Sequence, residues 1–105
     1  MFDQGTPIAL ADFLKGHSVR TAKQEGWDAL SNGDLLSVAE AAGFHVLVTT
    51  DNGVVFQQNL TTRKIAIVVL TRNRWRMVQR MIRKIEAAVN DAKPGSFTEV
   101  EIPVR

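Results

Sequence analysis

Two short runs of continuous apolar residues dominate the pattern of this chain. Ile65-Ala66-Ile67-Val68-Val69-Leu70-Thr71 is the stronger. Its apolar character is continuous rather than alternating, which predicts a strand buried on both faces, as inside a parallel sheet. Phe44-His45-Val46-Leu47-Val48-Thr49-Thr50-Asp51 is the other, bounded by Gly43 and the turn-like Asn52-Gly53. It predicts a buried strand that closes on two hydroxyls and a carboxylate. Elsewhere the period changes from strand to helix. Trp75, Val78, Ile82, Ile85 and Val89 recur at steps of three or four and predict a long helix over 74–91, stopped by Pro94-Gly95. Leu35, Leu36, Val38, Ala39 and Ala42 give the buried side of a second helix, capped by Ser31 or Asn32, with Asp34 in its first turn and Gly43 at its end. A short helix carrying Ile8, Leu10, Phe13 and Leu14 follows Thr6 as N-cap and Pro7 as first helical residue, and closes at Gly16.

The remaining extended pieces are shorter. Met1-Phe2 is the stub of a first strand ending at Asp3, His17 to Thr21 a second strand, and Phe97, Val100 and Ile102 a terminal edge strand. A strand of two residues is below the usual 3–10, so the pattern anticipates either a start upstream of Met1 or a truncated first strand. Between the two strong strands runs a loop with a helical turn through Phe56, Gln57, Gln58, Asn59 and Leu60. Alternation of strand and helix predicts a single α/β domain over 1–105, with a mostly parallel central sheet flanked by helices and right-handed crossovers.

Composition narrows the class. At 105 residues, 45% of them hydrophobic, the chain can bury one real core. No apolar run approaches the ~20 residues of a spanning helix, and Met1-Phe2-Asp3 opens no signal-peptide pattern, so a cytoplasmic protein without membrane association is expected. The absence of cysteine excludes disulfides, thiolate nucleophiles and cysteine metal sites. His17 and His45 lack the spacing of a helical metal pair, and neither a phosphate-loop motif nor a Gly-x-Ser-x-Gly elbow occurs. The net charge of +2 hides a strong asymmetry. Arg63, Lys64, Arg72, Arg74, Arg76, Arg80, Arg83 and Lys84 lie within 63–84, and no Asp or Glu occurs between Asp51 and Glu86. Arg76, Arg80, Arg83 and Lys84 share one side of the long helix as a basic ridge. Such a ridge suits a phosphate-bearing partner, or is simply a solvated helix face.

Asp51 is the first candidate for chemistry, because ligands of open parallel sheets bind in the crevice beyond the carboxyl ends of strands. An ordinary turn aspartate is the competing reading. Asp3 after the first strand, Ser31-Asn32-Gly33-Asp34-Leu35-Leu36 opening a helix, and Val46-Leu47-Val48-Thr49-Thr50-Asp51 together resemble the small PIN-like domain proteins, many of which sit beside a small partner as toxin–antitoxin pairs do. The resemblance runs over 1–102 and lies in the order and spacing of short motifs. It implies a PIN-like fold and metal-dependent cleavage of RNA, with Asp3, Asp34 and Asp51 as catalytic and metal-binding acids. These acids would hold Mg²⁺ or Mn²⁺, hard ions that take oxygen ligands. Thr50 would hydrogen-bond a carboxylate, and Arg76, Arg80, Arg83 and Lys84 would hold the RNA backbone. RNA, a small antitoxin-like protein and a second copy of the chain are the implied partners.

The chain departs from the family pattern at two places. Asn52-Gly53-Val54-Val55 stands where a further acid usually follows, and Gln4 stands where an acid often lies beside the first Asp. Fewer carboxylates leave a second function open, a catalytically degenerate module that binds RNA or a partner protein. A phosphoacceptor receiver domain is the rival fold. It needs an acid pair after its first strand, where Asp3-Gln4 supplies one acid, and a lysine after its fifth strand, whereas Lys93 follows the long helix.

Overall fold

The computed structural model describes residues 1–51 and 63–104. The loop reading over 56–60 lies outside the described residues. A parallel sheet of three strands, β1 (Val46–Thr49), β2 (Ala66–Leu70) and β3 (Phe97–Val100), forms the centre, in that lateral order. β1 runs from Val46 opposite Ala66 to Thr49 opposite Val69, and β2 runs from Ile67 opposite Phe97 to Leu70 opposite Val100. All five residues of β2 are buried. This is why its sequence is apolar on both faces: each face meets a helical layer.

The first residues extend the sheet beyond β1. Phe2 forms parallel bridges with Val48 on one side and Thr21 on the other. Val48 N–H donates to Met1 C=O at 2.8 Å and Asp3 N–H to Val48 C=O at 3.2 Å; Phe2 N–H donates to Arg20 C=O at 2.9 Å and Ala22 N–H to Phe2 C=O at 2.8 Å. The five extended segments therefore lie second, first, third, fourth, fifth. The first strand is represented by the bridges of Phe2, and the segment expected over 17–21 is reduced to one bridge at Thr21. The lateral order reverses between Phe2 and β1, which makes this gap the switch point of the sheet.

Helices cover both faces. On one face α1 (Asn32–Ala41) buries Leu35, Leu36 and Ala39 against Met1, Ala22, Leu47, Ile65, Ile67 and Val69. Trp27 closes this layer with its ring edge-on to Phe44, centroids 6.2 Å apart. On the other face Phe2, Leu10, Val48, Val68, Leu70, Val78, Ile85 and Val89 form a second cluster. Alternate residues of β2 thus serve opposite layers, the period-two geometry of a strand. Each fully buried side chain contributes about 1.5–3 kcal/mol relative to exposure.

Two helices differ from their expected form. The first is a 3₁₀ helix, Ile8–Phe13, with Pro7 at its N-cap and no side-chain cap. Thr6 is turned instead toward Asp3 and Val48. The helix expected over 74–91 is divided into α2 (Trp75–Val78), a 3₁₀ turn (Gln79–Met81) and α3 (Ile82–Asp91), with Met81 at φ −114°, ψ 13°. The buried positions Val78, Ile85 and Val89 nevertheless continue across the break.

α1 is fastened at both ends. At its start Ser31 Oγ accepts from Asp34 N–H at 3.3 Å, the expected N-cap. Near its end the Glu40 carboxylate accepts from the N–H groups of Lys64 and Ile65 at 2.7 and 3.2 Å, so one side chain ties α1 to the entry of β2. These backbone donors hold the Glu40 carboxyl below the usual carboxylate range. Gly43, at φ 91°, makes the left-handed exit from the helix into β1.

Candidate functional site

The carboxyl ends of the first strand and of β1 lie side by side at the switch point, and the chemistry-bearing residues collect there. Asp3 leaves the first strand, partly exposed, and Asp51 follows β1, exposed. Thr49 joins them. Its buried hydroxyl donates to Asp3 Oδ2 and accepts from Asp51 N–H at 3.0 Å. Thr6, also buried, stands 2.8 Å from Asp3 Oδ1 and 2.9 Å from Val48 C=O, and can donate its single hydroxyl proton to either. Asp3 Oδ2 is thereby held by the Thr49 hydroxyl, and Oδ1 lies within reach of Thr6.

The network reaches α1 through Asp51. Asn32 Nδ2 donates to Asp51 Oδ2 at 2.7 Å, and Asn32 is the first residue of α1. Asp34 therefore belongs to the helix start tied to Asp51, with its own side chain exposed. All three expected acids border the carboxyl-end side of the sheet, on three different elements. Among the described residues, no three His, Asp or Glu side chains group closely enough to hold one ion. Hard oxygens from Asp3 and Asp51 suit Mg²⁺ or Mn²⁺ held through one or two carboxylates, water and a substrate phosphate, a common arrangement for Mg²⁺. They do not form a closed three-carboxylate cage.

Thr50 does not take the role expected of it; Thr49, one residue earlier, contacts the carboxylate. Thr50 points elsewhere, packed so tightly on Gly5 that a Cβ there would run into Thr50 Oγ1. It lines a cavity of about 440 Å³ with Thr71, Arg72, Asn73, Arg74, Met77, Pro103 and Val104. A smaller recess of about 420 Å³ opens on the other side of Asp3, lined by Gln4, Thr6, Ile8, Thr21 and Lys23.

The ridge residues Arg76, Arg80, Arg83 and Lys84 are all exposed. They do not line the cavity beside Thr50. Arg80, Arg83 and Lys84 border a separate groove with Phe13 and Ile82, although Arg80 reaches back to Met77 Sδ at 3.9 Å. Other cations reach the carboxyl-end surface: Arg72 and Arg74 in the cavity beside Thr50, and Lys23 in the recess beside Asp3. The signal of the two arginines in the sequence was position: they closely follow the strongest strand, as Asp51 follows its own. The histidines stay out of the site. His17 Nε2 meets Asn90 Oδ1 at 2.6 Å, and both histidines line a cavity of about 380 Å³ at the amino ends of the strands.

No family model, curated protein or solved structure matches the chain. No helix among the described residues is long and apolar enough to cross a membrane.

Proposed function

We propose that the chain is a PIN-like domain and a metal-dependent ribonuclease, with its reaction centre at the switch-point crevice. The observation that carries this reading is the pair of aspartates, Asp3 and Asp51, which leave two adjacent parallel strands at their carboxyl ends and share one threonine hydroxyl. Asp3 and Asp51 would supply oxygen donors to Mg²⁺ or Mn²⁺. Asp34, at the start of α1, would shape the field on the approach side. When bound, such an ion orients a phosphodiester and lowers the pKa of a bound water. The protein's part is to fix the carboxylates. Thr6 and Thr49 orient Asp3, and Asn32 orients Asp51, so that neither must reorganise when the substrate arrives.

A second reading draws on the same geometry. Both oxygens of Asp3 already meet hydroxyls, and the acids form no three-residue group. These features favour a catalytically degenerate module that binds RNA without cutting it. Cleavage of a labelled RNA in Mn²⁺ separates the two. The nuclease reading expects cleavage by wild type, suppressed by EDTA and lost on Asp51→Asn, a nearly isosteric change at an exposed position. RNA binding with no Mn²⁺-dependent cleavage by wild type would sink it in favour of the second.

A further inference from the structure

The carboxyl end of β2 carries a group of residues that the acid crevice does not use. Thr71, Arg72, Asn73 and Arg74 follow the strand without interruption and form one wall of the cavity of about 440 Å³. Pro103 and Val104 also line it. Thr71 Oγ1 holds the segment leading to them by accepting from Ile102 N–H at 2.8 Å. The described lining residues of the cavity include two arginines, an asparagine and two threonines, and no Asp or Glu. Among the described residues, neither Arg72 nor Arg74 has an ion-pair or side-chain hydrogen-bond partner.

We infer that this cavity is a phosphate site for single-stranded RNA. Arginine presents a planar fork of N–H donors that matches phosphate oxygens in pairs, and two arginines lining one recess, with no Asp or Glu among its described lining residues, favour an anion. The volume is in the range of small-ligand clefts, enough for a phosphate with part of its nucleoside. Thr50 places the cavity beside the crevice, since it lines the cavity and immediately precedes Asp51. A strand of RNA crossing the carboxyl ends of β1 and β2 would rest one phosphate on Arg72 and Arg74 while a neighbouring phosphate lies at the acids. The choice of RNA rests on the nuclease reading. The anion preference does not.

Binding of a short fluorescent single-stranded oligoribonucleotide in EDTA tests this without cleavage. Wild type should bind. The variant carrying Arg72→Gln and Arg74→Gln should bind about tenfold more weakly, with a salt slope lower by about 1.4 for two lost contacts on a single strand. The variant carrying Arg83→Gln and Lys84→Gln, on the outer ridge, should lose much less. All four side chains are exposed, and matching thermal unfolding curves would establish that the variants are folded. Wild-type affinity in the Arg72/Arg74 variant, an equal or larger loss in the ridge variant, or no RNA binding by wild type would each overturn the inference. Binding that depends on Arg72 and Arg74 in a protein that never cleaves RNA would uphold this site and sink only the nuclease.

Discussion

Thr49 couples the two aspartates to each other and to the sheet. It is 1% exposed, so its hydroxyl has no access to bulk water and both of its hydrogen bonds are made within the protein. Thr49→Val keeps the shape and removes the hydroxyl, leaving Asp3 Oδ2 and Asp51 N–H each short of a partner. Losing such partners costs about 1–3 kcal/mol. A drop of that size in unfolding free energy is expected in urea, and Thr50→Val should cost clearly less. Equal losses from the two would show that the hydroxyl bonds of Thr49 contribute nothing specific. The sequence reading places the carboxylate partner at Thr50, one residue after the threonine that faces Asp3. In Val46-Leu47-Val48 both faces of the strand are apolar, so polarity carries no phase, and a one-residue shift reverses every side chain.

At the scale of elements, the strands and helices follow from periodicity, and their limits follow from contacts that periodicity does not contain. β1, β2, β3 and α1 lie where the apolar runs and the Ser31 cap predict. The segment over 17–21 keeps one bridge, Thr21 to Phe2, and its remaining residues take no ladder pairing. The lateral order, which creates the crevice, is set by packing and has no local signature. Glu40 is a further example: an acid near the end of α1, it is the clasp between α1 and β2. Its carboxyl is held below the usual range by the backbone donors of Lys64 and Ile65. The folded protein therefore binds that proton less readily than the unfolded chain. Its stabilisation is full above the ordinary glutamate value of about 4.3 and is lost as pH falls through the depressed value. Glu40→Gln should lower the urea midpoint at neutral pH, and the gap from wild type should close in strongly acidic solution. A gap that stays constant with pH would mean that the charge of Glu40 has no part in the clasp.

For the whole molecule, the sheet divides the core into two layers with separate membership. Leu36 packs in the layer under α1 and Ile85 in the layer under α3, each completely buried, and the two share no cluster. Leu36→Ala and Ile85→Ala should each cost about 2–5 kcal/mol, depending on how far the surroundings relax into the space left. Because the strands stand between them, the costs should add to within about 0.5 kcal/mol, as they do for sites without shared partners. A domain of this size is stable by only about 5–15 kcal/mol, so the double variant sits near the edge of folding and must be compared by extrapolation from denaturant. A stabilising co-solvent such as sucrose, present in all four samples, keeps the cycle measurable. A coupling well above 1 kcal/mol would show that β2 transmits strain from one layer to the other. The carboxyl-end crevice would then respond to packing on both faces, instead of resting on a rigid central strand.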